Sequence, residues 1–77
     1  MNFDKIKELI IDIISCDDDE VSMGTDLKED LGMDSLDAME LAMAIKEKLG
    51  VEIPEEKLAE VVTVEDIVTY VDDALEK

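Results

Sequence analysis

The sequence predicts an all-α fold, a small four-helix bundle of three longer helices and one short third helix, with a long loop between the first two. Three observations carry this. Apolar residues recur at helical spacing in three separate segments, and no stretch alternates convincingly as a strand does. Hydrophobic residues make up 47% of the chain but aromatics only 3%, so the core is built from Ile, Leu, Val, Met and Ala, of which Leu, Met and Ala favour helices. With 77 residues the chain is expected to be one small domain, burying only about 60% of the surface its unfolded form exposes, which leaves little room for an enclosed active site.

Phe3, Ile6, Leu9, Ile10, Ile13 and Ile14 follow helical spacing and predict a first helix from about Phe3 to Ser15. The Asn2 side-chain oxygen is expected to cap it. From Cys16 to Asp34 the period is lost, and Val21, Met23, Leu27 and Leu31 are the apolar pins expected to hold this long loop. Within it, residues 25–32 suit a single helical turn capped by Thr25 or Asp26, with Gly32 taking positive φ at its end. Helix two runs from Leu36 to Leu49, is capped by Asp34 or Ser35, and stops at Gly50. Val51-Glu52-Ile53 is extended because the residue before Pro54 is pushed out of helical space. Pro54 opens a short third helix, Glu55 to Glu60, with Leu58 and Ala59 as its apolar contacts. Thr63 caps the last helix, with Asp66 as the acid of a capping box. Val64, Ile67, Val68, Val71 and Leu75 then form a single apolar stripe.

Asp and Glu number 23 against 7 Lys and Arg, a formal charge of -16. Such a chain repels nucleic acid and anionic membranes and attracts basic protein surfaces. Cys16 is the only cysteine, so neither an internal disulfide nor a thiolate metal cluster can form. The acidic run Asp17-Asp18-Asp19-Glu20 fails as a calcium loop, since an EF-hand counted from Asp17 requires an oxygen ligand where Val21 stands and glycine where Ser22 stands. It reads as a solvated turn, and no specific metal site is expected. Without histidine, a glycine-rich phosphate loop or a Cys/His pair, the usual nucleophile-base arrangements are missing, and no intrinsic catalysis is expected. No apolar run reaches the length of a membrane span and no signal-peptide core is visible, so a cytoplasmic protein is expected.

Helix two carries two stripes. Ala38, Leu41, Ala42, Ile45 and Leu49 form the natural core face, while Leu36, Met39 and Met43 lie nearly opposite, bordered by Asp37, Glu40 and Glu47. The second stripe is either a transient binding surface, with adaptable methionines and steering acids, or a cover for the long loop or helix three. On spacing alone, Ser35 is a cap.

The stretch Glu29-Asp30-Leu31-Gly32-Met33-Asp34-Ser35-Leu36-Asp37-Ala38-Met39-Glu40-Leu41, with Glu52-Ile53-Pro54 and Thr63-Val64 further on, closely resembles acyl carrier proteins, above all the free-standing carriers of bacterial fatty-acid synthesis. The resemblance extends over nearly the whole chain, which is expected to be a single acyl-carrier domain, residues 1–77. It implies that Ser35 is the serine to which 4′-phosphopantetheine is attached, with Asp34 and Leu36 beside it. It further implies a partner face of Leu36, Asp37, Met39, Glu40, Met43 and Glu47, extended by Ile53 and Glu56. The implied partners are a carrier-protein synthase, which transfers the arm from coenzyme A, and the basic surfaces of acyl-transfer and fatty-acid synthesis enzymes. The carrier itself would be a non-catalytic monomer holding acyl chains as thioesters. Lys46 and Lys48 depart from the uniform acidity of fatty-acid carriers and keep open a carrier for polyketide, peptide or D-alanine transfer. An unmodified acidic interaction or cation-binding bundle is the remaining alternative.

Overall fold

In the computed structural model, which describes residues 2–76, four helices follow one another: α1 (Phe3–Ile14), α2 (Ser35–Leu49), α3 (Glu55–Glu60) and α4 (Val64–Glu76). Among the described residues there is no strand, only an isolated antiparallel bridge between Asp26 and Thr63. The fold is all-α, as the helical periodicity predicts.

Ile6 and Ile10 are fully buried on the inner face of α1, with Phe3, Leu9, Ile13 and Ile14 packed around the same core. The helix stops one residue earlier than the spacing predicts, because Ser15 turns left-handed (φ 62°) and its N–H closes on the Ile11 carbonyl at 2.8 Å. Asn2 does not cap α1 with its side chain. Its backbone N–H and its Nδ2 both donate to Asp72 Oδ1, at 3.0 and 2.7 Å. A carboxylate oxygen can accept both donors at once, and this one ties the start of α1 to α4.

The long loop is more ordered than its lack of period suggests. A single 3-10 turn spans Asp18–Glu20, and Lys7 Nζ lies 3.1 Å from Asp18 Oδ1. Val21 and Leu27 are buried pins, while Met23 and Leu31 are half-buried against the core. Thr25 is buried too: its hydroxyl donates to the Glu20 carbonyl (3.0 Å) and accepts the Ser22 N–H (2.9 Å). Asp26 therefore caps the following turn, with Oδ1 accepting the N–H groups of Lys28 and Glu29 at 2.9 and 2.8 Å. Asp30 reaches back to the Asp26 N–H at 2.9 Å. Three main-chain bonds then strap the loop to the start of α4: Leu27 N–H to Val62 O (2.9 Å), Val64 N–H to Thr25 O (3.1 Å) and Glu65 N–H to Met23 O (2.9 Å).

Cys16 is half-buried. Burial, with the Glu20 and Asp17 carboxylates nearby, pushes its thiol up from the ordinary value, which leaves little of the reactive thiolate at neutral pH.

Leu41 and Ile45 of α2 are fully buried, and Gly50 ends the helix in the left-handed region (φ 72°) with its N–H on Lys46 O. Val51 and Ile53 alternate inward across an extended link. The short α3 starts at Pro54, whose carbonyl accepts the Lys57 and Leu58 N–H groups, and it buries no residue fully. Leu58 is half-buried, whereas Ala59, expected as a core contact, is exposed. Val64, Ile67, Val68 and Val71 of α4 are buried. Leu75, expected as the last member of that stripe, is 49% exposed, so the stripe outruns the bundle in its final turn. The capping box at the start of α4 is formed: Asp66 N–H donates to Thr63 Oγ1 (3.3 Å), and Asp66 Oδ2 accepts the Val62 and Thr63 N–H groups at 2.9 and 3.1 Å. Those two N–H groups, Val62 first, hold the Asp66 carboxyl below the usual carboxylate range.

Candidate functional site

The site is built by the turn that leads into α2. Gly32 takes φ 70° with its N–H on the Lys28 carbonyl at 3.1 Å, a backbone state open to glycine at no steric cost. Met33 then turns inward, only 5% exposed, and its N–H donates to the Leu27 carbonyl at 2.9 Å. With Leu27 and Met33 anchored, Asp34 and Ser35 emerge at the surface.

Asp34 is extended and caps the helix. Its Oδ1 accepts the Asp37 N–H at 2.9 Å and its carbonyl accepts the Ala38 N–H at 3.0 Å. Of the two capping candidates, Asp34 has the task. Ser35 occupies the first helical position, exposed, and its hydroxyl makes no hydrogen bond to the described residues.

Beside Ser35 lies a cleft of about 560 Å³ bounded by the loop, α2, α3 and α4. Its apolar lining includes Leu27, Met33, Ala38, Leu41, Leu58 and Ile67, and its charged lining residues are Lys28, Asp34, Glu55 and Glu56. Sequence reasoning did not anticipate Met33 or Lys28 here. Neither falls on a helical stripe, and what brings them to Ser35 is the turn closed by Gly32.

The second stripe of α2 faces solvent. Leu36 is 66% exposed, Met39 47% and Met43 63%, so these side chains do not cover the loop, although Met39 also reaches the cleft. Glu40 and Glu47 are exposed and Asp37 is half-buried. Glu56 is exposed and lines the cleft. Ile53 departs from expectation. It is 7% exposed and belongs to the core, because the extended link alternates and the same parity that exposes Glu52 turns Ile53 inward. It offers a partner little surface in this conformation.

An unengaged hydroxyl at the start of a 15-residue helix fits a phosphodiester-linked group, since orphan N–H groups and the helix dipole favour an anion there. The cleft beside it fits an apolar cargo.

A family model described as "Phosphopantetheine attachment site" matches residues 4–71. The match puts the chain among proteins that bear a covalently attached 4′-phosphopantetheine and act as carriers rather than catalysts. Acyl carrier protein from Clostridium perfringens is 47% identical over 75 residues, covering 97% of this chain and 99% of that protein. Acyl carrier protein from Campylobacter lari is 44% identical over 71 residues, 92% of each chain. A solved structure of a provisionally assigned acyl carrier protein from Mycobacterium tuberculosis superposes with a TM-score of 0.87 at 25% identity, covering 95% of this chain and 97% of that one. The chain belongs to the acyl carrier protein family. That membership displaces the reading as an unmodified acidic bundle. No described helix is long and apolar enough to cross a membrane.

Proposed function

We propose that the chain carries acyl groups on a 4′-phosphopantetheine arm attached to Ser35 and presents them to the enzymes of fatty-acid synthesis. The observation behind this is the free Ser35 hydroxyl, left exposed because Asp34 caps α2, next to an apolar cleft. When attached, the arm supplies a terminal thiol that holds acyl chains as thioesters. The chain's own residues do the rest. Asp34 keeps the helix start closed whether or not Ser35 is modified, and the first turn of α2 favours the negative charge of the phosphodiester. Leu27, Met33, Leu41 and Ile67 give a cargo an apolar surface shielded from water.

Leu36, Met39 and Met43 form an exposed apolar stripe on which different partners can pack, and Asp37, Glu40 and Glu47 steer basic ones toward it. A carrier-protein synthase and acyl-transfer enzymes with basic surfaces are the partners this face suits. A cytoplasmic, monomeric carrier goes with this reading. The exposed Lys48, with Lys46 3.5 Å from Glu52, favours as the second reading a carrier for polyketide, peptide or D-alanine transfer.

Incubating the protein with coenzyme A and a carrier synthase should add one phosphopantetheine-sized increment to the intact mass, and Ser35→Ala should abolish it. An unchanged wild-type mass, or a gain that survives Ser35→Ala, would sink the attachment site. Loading by fatty-acid synthesis enzymes then supports the first pathway; loading only by another pathway's ligase supports the second.

A further inference from the structure

Four acidic or basic side chains line the cleft, Lys28 and three carboxylates, and the carboxylates of Asp34, Glu55 and Glu56 repel an anion. A phosphodiester placed at Ser35 adds a further negative charge to a chain that already carries -16, so a local counter-charge matters. Three of the lysines are occupied elsewhere: Lys7 lies 3.1 Å from Asp18, Lys46 3.5 Å from Glu52 and Lys57 3.8 Å from Glu60. Among the described residues, Lys5, Lys28 and Lys48 make no such pair, and of these Lys28 alone lines the cleft together with Ser35. Its backbone is held on both sides of its Cα. The N–H donates to Asp26 Oδ1 at 2.9 Å and the carbonyl accepts the Gly32 N–H at 3.1 Å. The side chain is exposed, so a fixed Cα carries a mobile ammonium.

We propose that Lys28 is the counter-charge for the phosphodiester on Ser35, a positioning residue that keeps the anionic root of the arm on the loop side of the cleft. The proposal rests on Ser35 as the attachment point. A lysine ammonium is a compact charge with three rotatable donors and can follow a phosphate oxygen without a fixed geometry.

Wild type, Lys28→Gln and Lys28→Arg are converted with coenzyme A and a carrier synthase. Intact mass, with Ser35→Ala as control, reports attachment separately from any role of Lys28. Melting temperatures are then taken for the forms with and without the arm. At low salt, attachment should shift the wild-type melting point more favourably than that of Lys28→Gln, by about 2–4 °C, with Lys28→Arg behaving as wild type. The difference should vanish in molar salt, where charges are screened beyond about 3 Å. The phosphorus NMR resonance of the arm should also move in Lys28→Gln and stay in place in Lys28→Arg. The same arm-induced shift in wild type and Lys28→Gln, a difference that survives molar salt, or an unmoved phosphorus resonance overturns the proposal. A Lys28→Gln chain that refuses the arm overturns it as well, since Lys28 would then serve the transfer step.

Discussion

Helices α3 and α4 are neighbours in sequence and both border the cleft, yet they are held in opposite ways. The 13-residue α4 buries Val64, Ile67, Val68 and Val71 and is closed at its start by the Thr63–Asp66 box. The six-residue α3 buries no residue fully and starts on the Pro54 carbonyl without a side-chain cap. Segments with few buried apolar contacts open at low free energy. One wall of the cleft is therefore firm where Ile67 stands, and the other is compliant where Leu58 and Ala59 stand.

Substitutions on each wall test that contrast. Ile67→Ala removes a fully packed side chain and should lower unfolding free energy by about 2–5 kcal/mol in urea titrations. A loss under about 1 kcal/mol would mean that α4 is no firmer than α3. Asp66→Ala should cost about 1 kcal/mol by breaking the cap, and the loss should depend on pH. The folded-state value of Asp66 is lowered by the Val62 and Thr63 N–H groups. Its contribution is therefore present above the unfolded value, about 4, and is lost as pH falls through the folded value. The gap between wild type and Asp66→Ala should be full at neutral pH and narrow below about pH 4; a gap that stays constant into acid would remove the carboxylate from the account. Leu58→Ala should have the smallest effect, under about 1 kcal/mol on the global transition, because the side chain is already partly wet. Equal losses for Leu58→Ala and Ile67→Ala would erase the difference between the walls.

What could be read from the sequence followed the range of the interactions involved. The stripes of α1, α2 and α4, the glycine stop at Gly50 and the Thr63–Asp66 box are local patterns, complete within a few residues, and all were legible. Asn2 was misread because its partner, Asp72, lies at the far end of the chain. Ile53 was placed on the partner face by the resemblance alone, and the structure turns it into the core because it alternates inward across the extended link. Leu75 continues a correct period past the point where anything remains to pack against. At the site, the start of α2 at Asp34 and Ser35 and the existence of a second stripe could be read from pattern and period; which way that stripe faces could not. Nor could the cleft, since its lining comes from the loop and three helices and exists only once they meet.

The strap between the loop and the start of α4 is made entirely of main-chain groups: the N–H groups of Leu27, Val64 and Glu65 and the carbonyls of Val62, Thr25 and Met23. Such bonds do not depend on which side chain sits at each position. The exposed positions among residues 23–27 and 62–65, namely Gly24, Val62 and Glu65, can drift in identity over evolutionary time while the crossing persists, and only proline at 27, 64 or 65 would delete one of its donors outright. Mutational tolerance at this crossing is thus decided by burial at Leu27 and Val64 and by the side-chain bonds of Thr25, Asp26 and Thr63, while the crossing bonds themselves ask only for a backbone N–H.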